Sequence, residues 1–208
     1  MKKIPTLFKR DFENHQVTRC YNEVTPGLEY VLEDPGVIPT IKHDGSCCRI
    51  VFDPVTHEPR FFKRYDAKKG RKIPAGAIPC QPEPDPVTGH WPHWLEVSET
   101  DPADKWYMAA FDNFVYNDGW GMCTVDPGTY EAVGPHFQGN PYNLERDTLI
   151  MHGSVSIKDL RMSYEGIREW LEANQQEGIV FFYDGAPVCK IKRSDFGLSW
   201  PIRKETKE

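Results

Sequence analysis

Apolar residues along this chain fall mostly in short alternating or continuous runs, and only two stretches keep a helical period. Ile38 to Lys42 and Ser46 to Phe52 read as strands, as do Gly178 to Tyr183 and Pro187 to Lys192, which flank a turn at Asp184-Gly185. Asp-Gly between two apolar runs rich in β-formers is a hairpin signal. Thr129 to Val133 alternates and carries Glu131. Between Ala103 and Tyr116, Trp106, Ala110 and Phe114 recur at helical spacing beside Tyr107 and Phe111, with Asn117-Asp118-Gly119 as the stop. Ser163 to Ala173 predicts a second helix, with Ile167, Trp170 and Leu171 as its apolar face and Ser163 as its cap. Strands outnumber helices and come in antiparallel-looking pairs, so the predicted class is α+β with mixed, mostly antiparallel sheets.

Ile73 to Pro102 departs from this pattern. Prolines at 74, 79, 82, 84, 86, 92 and 102 are too dense for a helix or a central strand and predict an ordered loop or a clamp. Trp91, Trp94, Leu95 and Val97 give it apolar anchors. Aromatics in a loop near a basic run also suit stacking on bases, and anchoring in the core is the simpler expectation.

Composition adds limits. The length of 208 residues suits one domain, 1–208, with a proper core, and no apolar run approaches a membrane span. Basic residues at the N-terminus lack a following apolar region, so a secretory signal is not expected. Six cysteines stand at 20, 47, 48, 80, 123 and 189 without a C-x-x-C pair, which points to reduced thiols in a cytoplasmic protein. Cys47 and Cys48 are neighbours in a strand and face opposite sides. His90 and His93 make a poor metal pair, because Pro92 lies between them and no cysteine pair is near.

A net charge of −6 argues against indiscriminate coating of nucleic acid. Locally the balance reverses: Arg60 to Lys72 carries seven basic residues against the single acidic Asp66. Clustered cations on an acidic body suggest a confined polyanion site, although a solvated face is the usual meaning of such a run.

The candidate chemistry centres on Lys42-His43-Asp44-Gly45, Glu177-Gly178-Ile179-Val180 and Lys190-Ile191-Lys192. A K-x-D-G pattern alone arises by chance in roughly one chain in twenty of this length. Its partners give it meaning. A lysine attacks a nucleotide α-phosphate only as a neutral amine, with its target held in line and the developing charge neutralised. Lys190 and Lys192, at i and i+2, share one face of a strand, where two cations would hold a phosphate and disfavour charge on Lys42. Glu177, beginning its strand beside a glycine, and Glu131 are candidate magnesium ligands, since magnesium takes one or two carboxylates plus substrate phosphates.

At these residues the chain resembles the covalent nucleotidyltransferases, which comprise ATP-dependent DNA and RNA ligases and mRNA capping enzymes. More narrowly it is similar to the small 5′-to-3′ RNA ligase family known from vertebrates. The narrower likeness rests on Lys42 to Cys48, on Gly134 to Leu144 with Gly139-Asn140-Pro141-Tyr142, on His152-Gly153, on Glu177 to Val180, and on Gly197 to Ile202, all in the family's order. It implies a nucleotidyltransferase (ATP-grasp-like ligase) domain of two mostly antiparallel sheets with flanking helices. Lys42 would be adenylylated with loss of pyrophosphate, with Asp44 and Gly45 completing the nucleotide-binding motif. Arg64 would contact the nucleotide or the RNA 5′-phosphate, Glu131 the ribose hydroxyls, Glu177 the metal or ribose, and Lys190 and Lys192 the α-phosphate. AMP would then pass to an RNA 5′-phosphate, and a 3′-hydroxyl would displace it. ATP is the implied co-substrate, magnesium or manganese the implied ion, and RNA ends the partners, with no membrane.

The chain departs from the family pattern twice. It leaves no room for the OB-type domain whose Arg-x-Asp-Lys element orients pyrophosphate in many relatives, so Lys63, Arg64 or the Lys68 to Lys72 run are expected to serve instead. Where ligases often stack an aromatic on adenine, this chain has Leu149-Ile150-Met151-His152-Gly153, and His152 either stacks on the base or is a strand-end histidine. The alternatives to an RNA ligase are a non-catalytic nucleotide- or RNA-binding module of the same fold and a capping-type enzyme that transfers GMP.

Overall fold

The computed structural model describes residues 3–13, 16–68, 70, 72–86, 88–116 and 125–202. The helix stop at Asn117-Asp118-Gly119, Cys123, Lys69 and Arg71 of the basic run, and Arg203 and Lys204 lie outside the described residues. The chain divides into two compact units, the first built from Asp44–His152 and the second from Ile4–His43 and the chain from Gly153 onward. The described elements are α+β, and every pairing between their named strands is antiparallel. No described helix is long and apolar enough to cross a membrane.

The second unit holds β1 (Phe8–Glu13), β2 (Gln16–Val24) and β3 (Ile38–Lys42). The first unit contributes β4 (Ser46–Phe52), β5 (Pro59–Ala67), the two-residue β6 (Ile78–Pro79), β7 (Trp91–Glu96), β8 (Gly128–Val133) and β9 (Thr148–Met151). Its helix α1 (Lys105–Val115) follows a 3-10 turn at Pro102–Asp104. Helix α2 (Tyr164–Ala173), β10 (Gly178–Tyr183) and β11 (Ala186–Lys192) complete the second unit.

In the first unit the strands run in the order β6-β7-β5-β4-β8-β9. Alternate residues divide the sheet into two faces. Cys48, Ile50, Phe61, Tyr130 and Leu149 are buried on one of them, against Ala110, Tyr107, Phe111 and Phe114 of α1. Phe61 stacks on Phe111 and Phe114 meets Tyr130 edge-on. Trp106, though in phase with the apolar positions, stays 38% exposed and stacks flat on the His136 ring. The proline-rich stretch holds an unexpected strand. β7 lies between β5 and β6 and includes Pro92, which is tolerated because β6 is so short: beyond it, Pro92 accepts a hydrogen bond from the Cys80 N–H through its carbonyl and needs no donor. Trp94 is buried, so the aromatics of this stretch do anchor it.

The second unit packs a three-stranded sheet, ordered β11-β10-β3, beside the β1-β2 hairpin and α2. Asp184 and Gly185 both have positive φ, the type I′ geometry that Asp-Gly favours in a two-residue hairpin. Ser163 caps α2 by accepting from the Gly166 N–H, and Ile167 and Leu171 are fully buried. The far end of α2 is held by Arg193, which donates to the carbonyls of Leu171 and Asn174, a cation on the negative end of the helix. Phe8, Tyr164 and Phe196 pack edge to face around one another.

Leu171→Ala should lower unfolding stability by about 3 kcal/mol, as a fully buried leucine does when it leaves a cavity. Ser163→Ala should cost about 1 kcal/mol, the loss of one helix cap. Denaturant titration of the two variants checks both values and their order.

Candidate functional site

The sequence-predicted residues fall into two clusters, one in each unit, and the boundary between units lies inside the motif, between His43 and Asp44.

In the second unit, Lys42 and Lys192 both pair with Gly178, one from each flanking strand. Paired residues point to the same side of a sheet, so the two lysines flank a position that has no side chain. Only glycine serves there, because a Cβ would overlap the Ile191 carbonyl oxygen. Glu177, just before the strand and only 5% exposed, fills the space between them. Its Oε2 lies 2.5 Å from Lys42 Nζ and its Oε1 lies 2.5 Å from Lys192 Nζ. Two ammonium groups on one carboxylate let a charged acid remain in a nearly dry place.

Lys190 lies one residue pair further along the same face, opposite Val180. Burial, together with the ammonium groups of Lys42 and Lys192, pushes its amine down to about 8. The backbone explains the burial. Lys190 donates its N–H to Pro5 and accepts from Leu7, so the N-terminal segment covers the outer edge of β11 as a parallel bridge. Arg10 reaches Asp195, which is 1% exposed and also accepts from the Lys192 N–H. Sequence patterning gave no sign of Arg10 or Asp195, which are far apart in the chain and carry no shared spacing.

In the first unit, Gly45 passes so close to β8 that a Cβ would overlap the Ala132 carbonyl oxygen. This approach lets the Gly45 N–H donate to Glu131 Oε1 at 3.1 Å, while the Asp44 N–H donates to the Tyr142 hydroxyl at 2.7 Å. Glu131 Oε2 lies 2.8 Å from His152 Nε2, and His152 Nδ1 lies 3.0 Å from Thr129 Oγ1. Cys47, the register partner of Glu131, stands beside them. Its thiol is pushed up to about 12 by burial and then by the Glu131 carboxylate. The resemblance pointed to Asn140-Pro141-Tyr142 without a role, and Tyr142 turns out to hold the motif backbone.

Arg64 and Lys63 separate as alternate strand positions must. Lys63 turns to the helix-covered face and is engaged by the buried Asp104. Arg64 is on the face of Cys47 and Glu131 and pairs with Asp66. His93 is buried with Nδ1 on the Trp91 carbonyl oxygen, so it serves the core.

The two carboxylates differ in what ion they suit. Glu177 is flanked by cations and would hold magnesium only with substrate phosphates supplying the remaining oxygens, which is how magnesium usually binds. The donors next to Glu131 are a thiol and an imidazole, and these do not suit magnesium.

A buried carboxylate between two lysines stands here beside a third lysine with a weakened proton, and such a set of cations can neutralise a phosphate. The family model described as RNA ligase 1 matches residues 121–207, a segment that includes Glu131, His152, Glu177, Lys190 and Lys192 and stops short of Lys42, Asp44, Gly45 and Arg64. The match takes in less than half of the chain and is a likeness to RNA ligase 1 over that segment. No curated protein matches it.

Because Lys190 holds its proton less tightly in the folded protein, the unfolded chain binds more protons between pH 8 and 10.5. Stability is therefore penalised below that window and recovers as pH rises through it. Lys190→Met should remove the penalty. Its stability advantage over the parent should be largest near neutral pH and shrink toward about pH 10, as read by denaturant titration.

Proposed function

We propose that this chain is an ATP-dependent RNA ligase acting through a covalent lysyl-AMP. The observation that carries the reading is the Lys42–Glu177–Lys192 arrangement with Lys190 on the same sheet face, and the RNA ligase 1 match over residues 121–207 supports it independently. The nucleotidyltransferase fold and a single catalytic domain spanning residues 1–208 belong to the same reading, as does a cytoplasmic setting for its reduced thiols.

Lys42 is the nucleophile. Its amine is paired with Glu177, so the first requirement is that the amine give up a proton, with Glu177 as the acceptor in reach, and that the pair then open. The Lys42 nitrogen then bonds to the α-phosphorus of ATP as the bond to the bridging oxygen breaks and pyrophosphate leaves. Lys190 and Lys192 hold the α-phosphate oxygens, and a weakened proton on Lys190 is regained once an anion sits beside it. Glu131 binds the ribose hydroxyls, Asp44 and Gly45 shape the motif loop, His152 orients Glu131, and Arg64 contacts the nucleotide or the RNA 5′-phosphate. Glu177 would hold magnesium together with substrate phosphates, and the ion would supply neutralisation of phosphate charge when bound. An RNA 5′-phosphate oxygen next displaces Lys42 from the AMP phosphorus. A 3′-hydroxyl then attacks the activated 5′-phosphate, forming the phosphodiester and releasing AMP.

Incubation with α-labelled ATP and magnesium should leave acid-labile label on the protein, and Lys42→Ala should carry none. Label from GTP alone would move the reading to a capping-type enzyme, and no label from either nucleotide would leave a binding module. Glu177→Gln and Lys192→Ala should each slow adenylylation by about 10² or more, the scale of losing an electrostatic stabiliser of a transition state.

A further inference from the structure

The Glu131 cluster holds more donors than a ribose contact requires. The Cys47 sulfur, a Glu131 carboxylate oxygen and a His152 ring nitrogen all lie within 4.8 Å of one another. They come from β4, β8 and the residue after β9, three adjacent parts of one sheet, so their separation is set by strand spacing. The outer contacts are also in place. Glu131 Oε1 is occupied by the Gly45 N–H, which leaves Oε2 to face the cluster. His152 Nδ1 lies on Thr129 Oγ1, an outer contact that holds the ring with Nε2 toward Glu131 and Cys47. No hydrogen bond among the described residues holds the Cys47 thiol.

We propose that Cys47, Glu131 and His152 form a zinc site, and that zinc there excludes the nucleotide. Thiolate and imidazole select zinc over magnesium, and three protein ligands with one open position are a common zinc arrangement. Binding releases the Cys47 thiol proton to solvent and replaces the His152–Glu131 hydrogen bond with bonds to the metal, the neutral ring keeping its one proton on Nδ1 against Thr129. The site stands on the geometry alone, whereas the exclusion of nucleotide rests on the assignment of Glu131 to ribose.

Two measurements on the full chain separate these claims. Zinc affinity is measured by competition with a chromophoric chelator, and thiolate ligation by the ultraviolet charge-transfer band of bound cadmium. The parent should show one tight zinc and the cadmium band. Cys47→Ser should lose the band and bind zinc weaker by more than about a hundredfold, beyond the cost of an outer contact. Unchanged zinc affinity in Cys47→Ser, or no tight binding by the parent, overturns the site. Adenylylation in saturating magnesium should fall at least about tenfold in parent with stoichiometric zinc and return on chelation, while Cys47→Ser keeps parental adenylylation with or without zinc. Zinc that binds through Cys47 without slowing adenylylation overturns the exclusion and leaves the site. A protein that never adenylylates refutes the ligase reading, and with it the exclusion, and the cadmium band still decides the site.

Discussion

Glu177 carries a carboxylate that solvent barely reaches, and ammonium groups from two different strands meet it, one at each oxygen. Much else in the second unit follows from this. Gly178 must lack a side chain so that β10 can fit between β3 and β11 at that row. Lys190, next along the face, is partly buried and feels the two cations, so its amine loosens its proton. The arrangement is poised. Its three lysines carry more positive charge than Glu177 carries negative charge.

The first unit solves a different problem with the same kind of residue. Among the described residues Glu131 has no lysine partner; its oxygens are taken by a backbone N–H from Gly45 and by an imidazole. That contact depends on the glycine, because only a residue without a Cβ can lie against the Ala132 carbonyl. One tetrapeptide therefore serves both clusters, Lys42 engaging Glu177 and Gly45 engaging Glu131. The two acids of similar sequence appearance suit different ions, since one has cations for neighbours and the other a thiol and an imidazole.

Local signals were legible wherever the interaction that decides an element lies within it. The Asp184-Gly185 turn, the Ser163 cap, the alternation of β8 and the burial of Ile167 and Leu171 all follow from short-range pattern. Pro92 misled because its penalty depends on which neighbour lies on its N–H side, and the shortness of β6 is a tertiary fact. Trp106 misled in the same way: helical phase places it near the apolar stripe, and only the position of His136 shows that it stacks at the surface.

From the sequence alone come the α+β class, the strands that carry Lys42, Glu131, Lys190 and Lys192, and the likeness in motif order to RNA-joining enzymes, because each depends on residues close in the chain or on residue type. Tertiary structure decided the pairings. That Lys42 is held by Glu177, that the N-terminal segment buries Lys190, that Lys63 is spent on Asp104, and that Cys47 and His152 gather at Glu131 are long-range contacts. Electrostatics and ligation depend on distances between side chains from separate strands, and no spacing along the chain encodes those distances.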